Sequence, residues 1–348
     1  MRRSALLAAG LAVVALIGTT ACRSTKSADA ASGAAPLPAI KIMIGGIDKV
    51  IYLPAKLTEQ LGYFKAEGLD VQLLSEPSGA QAENVLISGD VQGVVGFYDH
   101  TVDLQTKGKC VESVVQFADV PGEVEVVAAS KADQIRSPAD FKGRKLGVTS
   151  QGSSTDFLTQ YLTTKAGLKK GDYTTVKAGA GPTFIAAIDN GGIDAGMTTD
   201  PTAAQLLTTG KAKVLLDMRT EQGTRSALGG LYPASSLYMD CAWVNAHKPA
   251  VQKLANALVR TLHWIKGHSA ADIAAKMPAD YAAAGQDLYV KAINDSMGMF
   301  NGDGRMKAEG AENVLNVLSL FSPNVQSRKD SVDLSRTYTT EFVVKAQP

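Results

Sequence analysis

The sequence predicts an α/β protein built as two doubly wound lobes joined by two crossovers. Three observations predict it. From Ile40 onward, short apolar runs alternate with amphipathic stretches that end at glycine, the change of period that marks strand–helix units. The series breaks at "ADVPGE", near Pro121, and then starts again. A second break, "LYPASS", near Pro233, is followed by one more apolar run and then by helical pattern, so the chain returns to its first lobe. At 348 residues, 45% hydrophobic and 20% charged, the composition is ordinary for a globular protein and the length suits two core-forming units. The breaks divide the chain into lobe 1, residues 40–125 plus 236–348, and lobe 2, residues 126–235.

In lobe 1, "AIKIMIG" reads as a strand, "YLPAKLTEQLG" as a helix closing near Gly62, and "LDVQLL" as a strand. Next come helix "GAQAENVLISG", strand "VQGVVGF", helix "HTVDLQTKG" and strand "VESVVQF", a βαβαβ series that predicts a parallel sheet. In lobe 2, "VEVVAAS" leads through "PADFKG" to the strand "KLGVTS". Helix "TDFLTQYLTTKAG", strand "YTTVKA", helix "PTFIAAIDNG", strand "IDAGMTT", helix "PTAAQLLTTG" and strand "KVLLD" follow. The apolar run "LYMDCAWVN" then precedes the long helix "PAVQKLANALVRTLHWIKG".

Open α/β sheets place ligands beyond the carboxyl ends of their strands. Five polar loops fall there: "SEPSG" with Ser78 and Gly79, "GFYDH" with Tyr98 and His100, "GVTSQGSSTDF" with Gly152, Ser153, Ser154 and Thr155, "GAGP", and "TTDP" with Thr199 and Asp200. The third is a strand-to-helix turn whose N–H groups and hydroxyls can converge on an anion in front of the helix dipole; its other reading is an ordinary cap by Ser153 or Ser154. A nucleotide loop is excluded, because Ser153 stands where G-x-x-x-x-G-K-[ST] needs its lysine.

Lys49, in "GGIDKVIYLP" after the first strand, either pairs with an anionic head group or is solvated beside Asp48. Tyr52 and Tyr98 either wall in an organic body or pack in the core. His100 either donates to a ligand oxygen or partners a cap after Asp99. Asp200 either accepts from a ligand donor or caps the helix that starts at Pro201. His100, His247, His263 and His268 form no metal-spaced cluster with a cysteine pair, and no G-x-S-x-G element is present. Neither a metal nor a cofactor is expected.

The first residues are of another kind. Arg2 and Arg3, a 13-residue uncharged core from Ala5 to Ile17 and the small residues "GTTAC" make an export signal over 1–21. Thr19 to Cys22 resembles a bacterial lipobox with Thr19 in the usual leucine position, which makes Cys22 the expected lipidation site; plain cleavage after Ala21 is the alternative. Residues 22–39 read as a flexible tether. Losing Arg2 and Arg3 takes the 35 basic residues to 33, against 34 acidic, so no basic field for nucleic acid remains. Cys110 and Cys241 lie in apolar runs, as small buried thiols or as a disulfide in an oxidising compartment.

Several phrases together resemble one family: "AKLTEQLGYFKAEGLDVQLL" (55–74), "NVLISGDVQGVVG" (84–96), "IRSPADFKGRKLGVTSQGSS" (135–154), "AAIDNGGIDAGMTTDP" (186–201) and "NAHKPAVQKLANALVRTLHWI" (245–265). They resemble the substrate-binding proteins of ABC importers related to nitrate, sulfonate and taurine binders and to thiamine-pyrimidine precursor binders. Gln92 and Gly93 depart from the acidic step of the pattern, and Asp200 replaces the common glutamate before Pro201. The resemblance implies a type II periplasmic binding fold that closes over a small-molecule solute and delivers it to the transmembrane subunits of an ABC permease. The loop that holds Lys49 is one with which the family contacts its ligand.

The expected protein is therefore an exported monomer, periplasmic or anchored to the membrane by lipid at Cys22, that binds without catalysing a reaction. The expected ligand is a small organic anion, a sulfonate or carboxylate. The alternative is a pyrimidine-like or other neutral or cationic heterocycle, held at its polar edge by Asp200 and His100. A third reading is an enzyme of the pyrimidine-synthase type on the same fold. Such synthases consume a histidine of their own and act inside the cell, so an exported, tethered chain points away from them.

Overall fold

The first sheet is laid down by β1 (Ile40–Ile44), β2 (Val71–Ser75), β3 (Gly93–Phe97) and β4 (Val111–Gln116), in a computed structural model that describes residues 39–347. The signal segment, Cys22 and the tether as far as residue 38 lie outside the described residues. Between the strands run α1 (Leu53–Gln60), α2 (Tyr63–Ala66), α3 (Gly79–Ser88) and α4 (Asp99–Thr106). The second sheet holds β5 (Glu123–Ala128), β6 (Lys145–Val148), β7 (Thr174–Lys177), β8 (Ala195–Thr199) and β9 (Ala212–Asp217). Its helices are α5 (Ser154–Lys165), α6 (Pro182–Asp189), α7 (Thr202–Thr208) and α8 (Glu221–Leu228). β10 (Ser235–Asp240) returns to the first sheet, and α9 (Cys241–Ala246), α10 (Lys248–Lys266), α11 (Ala270–Ala274), α12 (Gln286–Ser296), α13 (Ala308–Phe321) and α14 (Pro323–Arg328) complete the chain.

The strand orders are β2-β1-β3-β10-β4 and β7-β6-β8-β5-β9. Both sheets are mixed, which corrects the parallel sheet expected from the βαβαβ pattern. β10 runs antiparallel between β3 and β4, and β5 runs antiparallel between β8 and β9. The reason is connection length. β4 ends at Gln116 on the cleft side, and only residues 117–122 separate it from β5, so β5 enters the second sheet from its cleft edge. β5 starts at Glu123 and β10 at Ser235, so Glu123 and Glu125 belong to the second sheet and Ser235 to the first, a shift from the expected boundaries.

Local sequence explains the elements. α3 begins where the Ser78 side chain accepts from the Gln81 N–H and stops at Gly89. α10 buries Val251, Leu254, Ala255, Leu258, Leu262 and Ile265, one helical face, against the main core. A second apolar cluster joins Tyr98 and Val102 of the first lobe to Leu158 and Leu162 of α5, with Val314 and Leu318 of α13 between them. β5 is buried along its whole length because it is an inner strand covered on both faces.

Cys110, just before β4, and Cys241, just after β10, form a disulfide with Cα atoms 5.5 Å apart. The pairing depends on β10 lying beside β4, which the sequence pattern does not reveal. The bridge closes a separation of 131 residues. A double variant, Cys110→Ser with Cys241→Ser, is expected to lose about 2–5 kcal/mol of unfolding free energy in urea. Dithiothreitol should lower wild-type stability similarly and leave the double variant unchanged.

Candidate functional site

Where the carboxyl ends of the two sheets face each other lies a cavity of about 20 Å³, lined by Lys49, Ile51, Tyr52, Gly79, Phe97, Glu123, Thr149, Ser153, Ser154, Thr155 and Thr199. One water needs about 10–15 Å³ on the same measure, so this closed form has no room for an organic solute. The register explains who faces it. Phe97, the last residue of β3, pairs with Ser235, the first of β10; Thr199, the last of β8, pairs with Glu123, the first of β5.

Lys49 reaches the cavity from the loop after β1 and is buried. Its ammonium donates to the Gly45 carbonyl at 2.6 Å and the Pro77 carbonyl at 3.4 Å, and it stands 6.0 Å from the centre of the Tyr52 ring. Gly46 makes room for the stem: a Cβ there would fall 2.6 Å from Lys49 Cε. Burial lowers the Lys49 pKa to about 8, against the opposing pull of Asp48 and Glu123. The solvated alternative for Lys49 is thereby set aside.

The turn before α5 folds its hydroxyls onto itself. Ser153 Oγ donates to the Ser150 carbonyl at 2.6 Å and lies 2.8 Å from Thr155 Oγ1, which accepts from the Thr149 N–H at 2.9 Å. Ser154 Oγ donates to Asp99 Oδ1 at 2.9 Å, a bond between the two lobes. Ser153 occupies the N-cap position with no side-chain bond to the helix amides. Among the described residues, the N–H groups of Ser154 and Thr155 have no hydrogen-bond partner, so the first turn of α5 keeps its donors and positive end toward the cavity.

Of the residues expected to touch a ligand, Lys49, Tyr52, Gly79, Ser153, Ser154, Thr155 and Thr199 line the cavity, and five do not. Tyr98 follows Phe97 and faces away; it packs in the cluster with α5 and α13, its hydroxyl 2.5 Å from Thr337 Oγ1. His100 stands behind Gly79, where a Cβ would meet its Nε2 at 2.9 Å. Its Nδ1 lies 2.7 Å from Glu83 Oε2, an ion contact without the alignment of a hydrogen bond. Burial opposes the imidazolium, but Glu83, Asp99 and Asp103 outweigh it and raise the pKa to about 9. Ser78 caps α3, and Gly152 gives its N–H to Asp156 at 2.9 Å on the outer side of the turn. The pattern did not single out Ile51, Phe97, Thr149 and Glu123.

Asp200 is fully buried and its carboxylate is committed to the protein. Oδ1 accepts from the Ala204 N–H at 2.9 Å; Oδ2 accepts from Ser296 at 2.6 Å and Arg219 at 3.1 Å. Arg219 also holds Asp217 and reaches Asp295 at 3.5 Å. The Asp200 carbonyl accepts from the Val50 N–H at 3.0 Å. The capping alternative therefore describes Asp200, extended into a clamp between the second sheet and α12. Among the described residues no cluster of three His, Cys, Asp or Glu side chains could hold a metal ion.

Two mixed α/β sheets that face each other across a cleft define the type II periplasmic binding fold. The chain belongs to the NMT1/THI5 like family, whose model matches residues 52–271. A protein of Bordetella bronchiseptica is 34% identical, with a TM-score of 0.84 over 89% of this chain and 97% of that one. The alkanesulfonate-binding protein of Xanthomonas axonopodis pv. citri, solved bound to MOPS, shares the fold at 18% identity and a TM-score of 0.68, covering 88% of this chain and 99% of its own. A 4-amino-5-hydroxymethyl-2-methylpyrimidine phosphate synthase of Aspergillus parasiticus is 28% identical over 63% of this chain and 64% of its own length. The chain spans less than two thirds of such curated relatives, and 42% of one Saccharomyces cerevisiae synthase.

Removing Asp200 leaves Arg219 short of a buried partner and Ser296 without an acceptor. Asp200→Ala is expected to lose about 3 kcal/mol of stability in urea unfolding, measured with no solute added. An unchanged midpoint would show that the clamp adds nothing to the stability of the fold.

Proposed function

We propose that this chain is an extracytoplasmic solute-binding protein of an ABC importer, which closes over a small organic anion and presents it to the permease. The observation that carries the reading is the buried Lys49 ammonium facing one cavity with the unpartnered N–H groups of Ser154 and Thr155. An ammonium and a helix N-terminus together favour negative charge, and the low-dielectric surroundings strengthen both. Tyr52 and Phe97 supply apolar walls for an organic body rather than a bare inorganic ion. The disulfide supports an oxidising compartment, in keeping with export. The fold shared with an alkanesulfonate-binding protein supports a sulfonate or carboxylate head group. The reading includes no turnover, so steady product formation from a bound solute would overturn it.

A second reading, a pyrimidine-like heterocycle, has the names of the 28%-identical synthases and the Tyr52 and Phe97 rings in its favour. A thermal-shift screen over sulfonates, carboxylates and pyrimidines separates the two, since a ligand at 100 times its Kd adds about 2.7 kcal/mol. Anions are expected to raise the melting temperature, and pyrimidines alone doing so would decide for the second reading. With the best anion, Lys49→Ala should weaken binding roughly 10- to 150-fold, the equivalent of about 1.5–3 kcal/mol.

The same contact fixes a pH dependence. An anion prefers the protonated ammonium, and the free protein loses that proton as pH rises through about 8. Affinity is expected to hold level from pH 6 to about 7.5 and to fall toward tenfold per pH unit above 8, as read by calorimetry. Lys49→Ala should lack the alkaline fall. Because the closed cavity excludes the solute, binding also requires the sheets to part. X-ray scattering should show an open population whose radius of gyration contracts when the anion saturates the protein.

A further inference from the structure

We propose that Glu123 is a ligand-recognising carboxyl that selects, among anionic solutes, those that also carry an N–H donor. The inference rests on the anion-binding reading above and adds a second pole to the same cavity. Glu123 opens β5 in register with Thr199, is 1% exposed, and lines the cavity with Lys49. Its Oε2 is buried with no hydrogen-bond partner.

Three other buried carboxylates in this part of the molecule are satisfied. Asp99 accepts from Ser154 and Tyr232, Asp156 from Gly152 and Gln160, and Asp200 from Ala204, Ser296 and Arg219. Glu125, two residues along β5, also lacks partners but does not line the cavity. A buried acceptor left unpaired costs desolvation and returns nothing to the fold, so its use lies in a donor that arrives with the solute.

Lys49 does not supply that donor: two of its three N–H groups go to the Gly45 and Pro77 carbonyls, and it makes no bond to Glu123, whose Oε2 is left without a partner. The cavity thus offers a cation and a carboxyl that are not spent on each other. An anionic group directed to Lys49 and the α5 amides, with an N–H directed to Glu123, satisfies both. Burial, with Asp99 adding to it, pushes the Glu123 carboxyl well above the usual range, while Lys49 pulls the other way. An ammonium or amidinium would draw out the ionised form.

Calorimetry on two matched series tests this: 4-(aminomethyl)benzoate, 4-methylbenzoate and 4-methylbenzylamine; and 3-aminopropane-1-sulfonate, propane-1-sulfonate and propylamine. In the series that binds, the two-group member is expected to bind at least about tenfold more tightly than its anion-only partner. Glu123→Met should erase that preference, read as the ratio of the two affinities measured within the variant. Equal wild-type affinity for the two anions, or a preference that survives in Glu123→Met, overturns the inference and leaves the anion reading standing. An amine that binds as tightly as the two-group member overturns the anion reading instead and keeps Glu123 as the selecting residue. Failure of all six to bind sinks both. Without any solute, Glu123→Met is expected to raise the melting temperature by about 2 °C or more, because an unpaired carboxyl is replaced by an apolar chain. A lower melting temperature would assign Glu123 a structural role and also overturn the inference.

Discussion

A strand that crosses from one sheet to the other over six residues has only one way to enter. It leaves the carboxyl end of β4, meets the second sheet at the carboxyl ends of its parallel strands, and must run back against them. β10 repeats the manoeuvre in reverse, between β3 and β4. That constraint makes both sheets mixed, gives them the same strand order and places the first residue of each returning strand beside the cleft. Without it Glu123 would not face Lys49, and Cys241 would not come beside Cys110.

The same geometry concentrates charge in a place that water barely reaches. Most of the buried ionisable groups near the cleft are answered by named partners: Lys49 by carbonyls, Asp99 by hydroxyls, Asp200 by an arginine, a serine and an amide; Glu123 is the exception that faces the cavity. Their arrangement separates two jobs. Asp99 and Asp200 tie the lobes together, the first through Ser154 and the second through Ser296 and Val50. Lys49, the α5 amides and Glu123 keep capacity toward the cavity. A buried ion with all its bonds made within the protein is a fastener, and only one with bonding capacity left over serves a guest.

The strands and most helices were legible because their hydrophobic period is regular and their ends carry glycine or a cap, as at Gly62, Ser78 and Gly89. α8 was not, since "EQGTRSAL" is mostly polar and is held by the Thr220 cap and a narrow face of Thr224, Ala227 and Leu228. Lys49 and the hydroxyl residues Ser153, Ser154 and Thr155 were legible by residue type and loop position. Phe97 against Tyr98 was not, because two aromatics in succession at a strand end face opposite ways and the sequence does not say which way is in. Glu123 was missed for a related reason. The alternation Glu-Val-Glu-Val suggests one wet face, whereas β5 is covered on both. Direction was the deeper loss: period reports that a strand exists, not which way it runs.

Because β5 is a short strand held on both sides by β8 and β9, its phase is set by burial rather than by the loop that leads into it. Glu123 and Glu125 share one face of it, while Val124 and Val126 pack on the other, in the core of the second sheet. A one-residue slip of the strand would exchange those faces and drive both glutamates into an apolar core, so a residue gained or lost in the connector 117–122 is taken up by the loop. The carboxyl at the floor of the cleft is therefore insulated from changes in the length of the bridge. The six-residue bridge can thus vary as a span between the two lobes while the strand keeps the chemistry it presents.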